Sequence, residues 1–437
     1  MGDDIRPDES WGPRSLWIAL HKEKRVGYQP SQAFNIADLR AAARSKLPKG
    51  LFEFVARGTE DEVALQRNRA RFDAIAMRPR VLVDVSARTQ ASSFFGKPST
   101  MPMAIAPTGA AGLLWFDGEI AVARAAAKAG IPFTLSTASI ISMERVADEA
   151  GGRLWFQLYM LPERRMSHQL VARAKAAGYE GLIVTVDTVA TPNREYNRRN
   201  GFVLPMRLTR RNMIDVARHP SWFFNVFARY MLRSGIPMLE NYPDELRMKL
   251  TARPGEQRGL PKSDSLDWAD LRELRKLWDG PLMVKGLMHP DDAALAADCG
   301  VDAVIVSNHG GRNLDCAMAT IEALPAVVDR IGHRTQVMID SGFERGSDIA
   351  KALALGAKGV FVGRAPLWGV SAAGESGASR AIEILREELD RVLAFSGCAS
   401  VDALDRSILH VPPGFSEWPG FARDATSASA PRLAVAA

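Results

Sequence analysis

The stretch VSNHGGRNLD (306–315) sets His309 and Arg312 three positions apart on a loop with two adjacent glycines, directly after an apolar run. An imidazole titrates near neutral pH and can take up or release a proton. A guanidinium offers a planar fork of donors to a carboxylate or phosphate. Other polar residues at the ends of apolar runs extend the set: Pro107-Thr108-Gly109, Ser136, Gln157 and Tyr159, Thr185 and Asp187, Lys285, Ser307, Asp340, and Gly363-Arg364. One such residue means little, because strands end in polar turns. Eight runs that all end this way describe a surface that handles anions and protons.

These residues need a frame that brings eight strand ends together. The runs MAIAP (103–107), FTLS (133–136), WFQLY (155–159), LIVTVD (182–187), LMVKG (282–286), AVIVS (303–307), VMID (337–340) and VFVG (360–363) alternate with amphipathic stretches. Stretches such as GEIAVARAAAKAG and GSDIAKALALGA close near a glycine, as a helix C-cap requires. Eight such units over ~260 residues predict an α/β fold, a (β/α)8 TIM barrel whose chemistry sits at the C-terminal strand ends. Residues 1–98 are expected to form an N-terminal helical segment wrapping the barrel, with two short helices broken at Pro48. The barrel unit would span 99–412, a long insertion would follow strand four over 188–265, and 413–437 would be a disordered tail. IDSGFERGSD and VFVGRAP place glycine-loosened backbone at strands seven and eight, where barrels often hold a phosphate.

Composition narrows the class. The chain has 437 residues, is 47% hydrophobic and carries a net charge of +6, so it can bury a large core and is mildly basic. Three cysteines, Cys299, Cys316 and Cys398, lack the spacing of a disulfide framework or metal site, and no metal is expected. The start, with Asp3, Asp4 and Arg6, does not read as a secretory signal, and no apolar run reaches the ~20 residues of a spanning helix. A cytoplasmic protein is expected, with any membrane contact peripheral, on the inner face of the cell membrane. For that contact the segment 207–239 is the candidate. It combines Arg207, Arg210, Arg211, Arg218, Arg229 and Arg233 with Trp222, Phe223, Phe224, Phe227 and Tyr230. A lid over the barrel mouth or an oligomer contact accounts for it equally well, and no motif suggests nucleic acid.

From LPKG (47–50) to about residue 400, through RPRVLVDVS, APTG, LSTAS, WFQLY, TVDT, LMVKG, SNHGGRNLD and IDSGFERGSDIAKALALGA, the chain resembles the FMN-dependent 2-hydroxy acid oxidases and dehydrogenases. PTG, GIPFTLSTAS, LDCA and SGFERGSDI look most like the (S)-mandelate dehydrogenase branch, followed by membrane-associated L-lactate dehydrogenases. The resemblance implies FMN as cofactor and oxidation of an (S)-2-hydroxy acid, aromatic or bulky, with electrons passing to a quinone, O2 or another carrier. It implies His309 as proton acceptor, Asp187 as its orienting partner, Arg194 and Arg312 as carboxylate clamp, and Tyr159 as a donor to substrate. Lys285 would face the cofactor edge where reduction builds negative charge. Pro107, Thr108, Gly109, Ser136, Gln157, Thr185 and Ser307 would line the ring, and Asp340, Gly342, Arg345, Gly363 and Arg364 the ribityl phosphate. A homo-oligomer, a tetramer by analogy, is implied as well.

Three positions depart from the pattern. Phe54 stands where a tyrosine hydroxyl commonly reaches the substrate carboxylate, Glu344 where an arginine commonly holds the phosphate, and Asn313 where glutamine is usual. Gly109 would leave room beside the flavin for a bulky substrate. Taken alone, His309 also reads as a buried, satisfied histidine, Asp187 as a loop cap, Tyr159 as a rim aromatic, and Arg194 in PNREYNRRN as part of a solvated basic loop. Competing readings are an L-lactate enzyme, an oxidase using O2, and, from another class, a catalytically impaired flavin-binding protein.

Overall fold

The computed structural model describes residues 29–202, 209–247, 249 and 263–415. Eight parallel strands close into a barrel: β1 Met103–Thr108, β2 Phe133–Ser136, β3 Leu154–Tyr159, β4 Gly181–Thr185, β5 Leu282–Leu287, β6 Ala303–Val306, β7 Gln336–Ile339 and β8 Gly359–Val362, with β8 pairing back onto β1. This is the (β/α)8 architecture expected from the alternating pattern. Four strands end earlier than their apolar runs suggested. β4 stops at Thr185, β6 at Val306, β7 at Ile339 and β8 at Val362, so Asp187, Ser307, Asp340 and Gly363 lie on the loops. Ser307 and the Asp187 and Asp340 carboxylates are instead held by side-chain bonds at the mouth.

Side chains of a strand alternate faces, and this alternation builds the site. Ala104, Ala106, Trp155, Ile183, Met283, Ala303, Ile305, Met338 and Phe361 fill the barrel interior. Two residues further along the same strands, the inward positions become Thr108, Gln157, Thr185, Lys285, Ser307, Asp340 and Gly363. Below, a hairpin of Ser92–Phe94 with Lys97–Ser99 inserts Phe94, whose ring lies 5.8 Å from that of Trp155, as does the ring of Phe361. An apolar plug therefore fills the barrel below the polar C-terminal mouth.

The N-terminal segment contains helices Ile36–Lys46 and Lys49–Ala56 flanking Pro48, as expected, and a third, Val63–Ala74, which the sequence hid. That helix buries only Ala64, Asn68 and Phe72, a stripe interrupted by an amide and too narrow to read as amphipathic. The segment locks the loops at the mouth. Asn68 and Asn308 exchange reciprocal side-chain hydrogen bonds of 2.9 and 2.8 Å, the Thr59 amide donates to Gly311, and Thr59 and Glu60 donate to the Asn193 carbonyl. A long helix, Arg364–Ser396, follows β8 with a break at Ala373 and Gly374 and packs against Ile36–Lys46 and Gly118–Ala129.

The connection from β4 to β5 is the long one expected. It carries helices Glu195–Asn200 and Arg210–Ala217, then Pro220–Trp222 running through a π-helical turn, Phe223–Phe227, into Ala228–Arg233, and finally Trp268–Leu277. Trp222 Nε1 donates to the Leu113 carbonyl, and the Tyr230 hydroxyl accepts from the Asp117 amide. Arg207 and most of the expected tail, from residue 416 onward, lie outside the described residues.

Candidate active site

His309, Gly310 and Gly311 all have positive φ, at 58°, 68° and 70°. Glycine adopts this conformation freely, whereas for histidine it costs ~1–2 kcal/mol. The bonds that offset the cost are specific: the His309 amide donates to Ser307 Oγ, Gly310 N to Ser341 Oγ, and Gly311 N to Asn308 Oδ1. A side chain on Gly311 would collide with the backbone of Leu65, which is how the N-terminal segment comes to press on this loop. The loop is thus forced into the shape that projects the imidazole over the mouth.

His309 Nδ1 lies 2.9 Å from Asp187 Oδ1. Burial pushes the imidazole below its ordinary range and outweighs the opposing pull of Asp187. Burial also tends to raise Asp187, yet the neighbouring His309 and Lys285 hold its carboxyl below the usual range. The pair therefore rests as neutral imidazole beside carboxylate. Nδ1 carries the proton that Asp187 accepts, and Nε2 is left as the free base. Asn313 donates to the Asp187 carbonyl at 2.7 Å and steadies the same turn.

Lys285 is fully enclosed. Desolvation works against its charge, but Asp340 Oδ2 at 3.0 Å, with Asp187 beyond it, raises it above the ordinary lysine value. It also donates to Ser307 Oγ at 2.8 Å, which in turn accepts from His309 N, so cation and base share one anchor. Burial lowers Arg194 to about 10, with the nearby Arg312 adding repulsion. Arg312 donates from one nitrogen to the Phe54 and Arg57 carbonyls, at 2.7 and 2.9 Å, and its guanidinium lies 5.2 Å from the Phe54 ring centroid. Burial pushes the Tyr159 phenol up, and Asp187 adds to the rise.

Several of these buried atoms have no partner among the described residues: Gln157 Nε2, Thr185 Oγ1, Asp187 Oδ2, Arg194 Nε, Tyr196 Oη and Asn313 Oδ1. Leaving a buried polar group unpaired costs ~1–3 kcal/mol each. A cluster of them at one mouth marks a surface shaped for polar ligands. Gln157 and Thr185 sit on adjacent strands above the apolar plug, with Ser136 Oγ bonded to Gln157 Oε1. A flat ring with donors and acceptors along its edge matches this set, so the residues fit FMN.

The phosphate end is less direct. Arg364 donates to the Val55 and Gly310 carbonyls at 2.9 and 3.0 Å, and burial lowers it to about 10. Arg345 pairs with Glu388 at 3.1 Å and is half exposed. Gly342 has φ 87° and a Cβ there would meet Asn68 at 3.1 Å, whereas at Gly363 it would meet only Ala106 and Thr108 at 3.6 Å; the charge of the exposed Glu344 acts on Arg364. At Gly109 an added Cβ would meet Ala138 Cβ at 3.1 Å, so the space spared there faces the next loop. Sequence reasoning passed over Tyr196, Asn68 and Glu119. Only a tyrosine or asparagine amid charged residues signalled the first two, and a lone carboxylate opening a helix signalled the third.

A family model described as FMN-dependent dehydrogenase matches residues 43–411. The chain is 41% identical over 376 residues to (S)-mandelate dehydrogenase of Pseudomonas putida, covering 86% of this chain and 93% of that protein. It is 38% identical to L-lactate oxidase of a Nostoc species, covering 87% and 99%. A crystal structure of the monotopic membrane protein (S)-mandelate dehydrogenase superposes with a TM-score of 0.80 at 39% identity, covering 87% of this chain and all of the other.

Proposed function

The chain belongs to the FMN-dependent dehydrogenase family, uses FMN and oxidises a 2-hydroxy acid, and from this premise we propose that its substrate is an (S)-2-hydroxy acid with an aromatic or bulky side chain. The observation that carries the reading is the His309–Asp187 pair set beside two arginines in a buried polar mouth. Similarity to (S)-mandelate dehydrogenase supports the choice of side chain.

Arg194 and Arg312 grip the substrate carboxylate, each guanidinium offering the paired donors that a carboxylate accepts. Tyr159 donates at the substrate. Nε2 of His309 takes the proton released as the alcohol becomes a ketone, and Asp187 stabilises the resulting imidazolium across Nδ1. FMN, when bound, would supply the acceptor for the two electrons and the second of the two hydrogens that the substrate loses. Thr108, Ser136, Gln157 and Thr185 would hold its ring, and Gly342, Gly363 and Arg364 its phosphate end. Lys285, fixed by Asp340 and Ser307, would supply positive charge to the bound ring as it gains electrons.

We infer a quinone or similar carrier as electron acceptor, with the protein lying on the inner face of the cell membrane. Among the described residues no helix is long and apolar enough to cross a membrane. The insertion instead exposes Met213, Ile214, Phe224, Met231 and Leu232, with Arg210, Arg211, Arg218, Arg229 and Arg233 also exposed around them. Of the aromatics in that segment, Trp222 and Tyr230 turn inward, so Phe224 and the aliphatic residues form the outer apolar face. Exposed Val81, Leu82 and Phe395 near the end of the long C-terminal helix offer a face for contacts between copies. A second reading, direct use of O2, draws support from the likeness to L-lactate oxidase. Turnover of (S)-mandelate and L-lactate with a quinone analogue and with O2, with peroxide measured, tests both choices. Preference for L-lactate, or stoichiometric peroxide, would overturn them.

A further inference from the structure

Tyr196 opens the insertion, one residue into the helix Glu195–Asn200, and is 4% exposed. Its hydroxyl has no hydrogen-bond partner among the described residues, and neither does Nε of Arg194, two positions before it. The surroundings are cationic. The Arg57 guanidinium lies 5.3 Å from the Tyr196 ring centroid, and the Arg57 carbonyl accepts from both Arg312 and Arg364. Tyr196 interacts electrostatically with Arg194 and Arg364, while Arg312 repels both of those arginines. A buried phenol and a guanidinium nitrogen without partners among the described residues, set among these cations, suit an anionic ligand.

The helix is placed deliberately against the N-terminal segment. Asn200 Nδ2 donates to Glu53 Oε2 at 2.7 Å, and the rings of Phe202 and Phe54 lie 5.6 Å apart. Phe54 stacks on Arg312 but brings no hydroxyl to it. Arg194 is the link to the reaction, since its charge also acts on Tyr159 and His309.

We propose that the Tyr196 hydroxyl is a specificity-determining donor to the carboxylate of the bound 2-hydroxy acid, completing the grip of Arg194 and Arg312 from the insertion side. The proposal rests on the 2-hydroxy acid reading. The cofactor phosphate is also an anion, so the test separates the two.

The holoenzyme and its Tyr196→Phe variant are titrated with phenylglyoxylate and with its methyl ester, following the flavin spectrum, alongside flavin content and the melting temperature of the apoprotein. The variant should bind phenylglyoxylate about ten-fold or more weakly, since a hydrogen bond to a charged group is lost. The methyl ester, flavin content and affinity for FMN should be unchanged, and the apoprotein should melt no lower, because the hydroxyl leaves no partner behind. Equal affinity of both proteins for phenylglyoxylate overturns the assignment, as does a variant that loses FMN or whose apoprotein melts earlier. A wild-type holoenzyme that binds neither compound and is reduced by no 2-hydroxy acid sinks the functional reading itself.

Discussion

His309 Nδ1 lies 2.9 Å from Asp187 Oδ1, a contact between the ends of β6 and β4 that joins residues 122 positions apart. It fixes which imidazole nitrogen is free. The neutral resting state follows from burial of the ring, opposed but not overcome by the carboxylate.

This pair gives a pH prediction with a definite sign. The base works when unprotonated, so kcat/KM should rise with pH and level off, with its acid limb below the ~6.5 of free histidine. Asp187 raises the His309 value. Asp187→Asn should therefore move the limb to lower pH while dropping the plateau by about two to four orders of magnitude, by analogy with other carboxylate-oriented histidines. A limb that moves upward would contradict the assignment.

Glu344 is exposed, and its carboxylate acts on Arg364, which is proposed to hold the cofactor phosphate. Glu344→Arg should lower the dissociation constant for FMN about ten-fold at low salt, with the gain shrinking as salt screens it. Fluorescence titration of apoprotein measures it.

Glu119 is completely buried, and burial raises it from 4.5 to about 6 although Ser139 and the Ile140 amide donate to Oε1. A folded value above the unfolded one means the folded state holds its proton more tightly. Stability from this group is thus present at low pH and is lost as pH rises through about 6. At ~1.4 kcal/mol per unit the penalty above pH 6 is about 2 kcal/mol. Glu119→Gln should raise the melting temperature at pH 8 and leave it nearly unchanged at pH 4.5.

The exposed apolar face of the insertion should bind anionic vesicles. Phe224→Asp with Leu232→Asp removes the two side chains that are 65% and 87% exposed. The double variant should stay in the supernatant when wild type co-sediments, without loss of turnover in detergent.

The barrel was legible because its strands are short, apolar and separated by helices that end at glycine. The polar mouth followed from what each strand ends in. What stayed hidden lacks a local pattern. Asn68 sits on a helix with almost no apolar stripe, yet it holds the His309 loop through Asn308. The inward turn of Trp222 and Tyr230 is set by acceptors and donors on the β1 loop, which no reading of 207–239 alone contains. Strand ends were overrun for the same reason: Asp187 and Asp340 answer to His309 and Lys285 across the mouth, not to their own runs.

In the proposed reaction bound FMN oxidises an (S)-2-hydroxy acid while His309 takes the proton. The most direct measurement mixes holoenzyme anaerobically with (S)-mandelate, (R)-mandelate and L-lactate and follows the visible flavin absorbance. Rapid bleaching by (S)-mandelate, slower bleaching by L-lactate and none by the (R) enantiomer are expected, with the first abolished in His309→Gln. Flavin that stays oxidised with every 2-hydroxy acid, or that bleaches equally without the imidazole, would contradict this reaction.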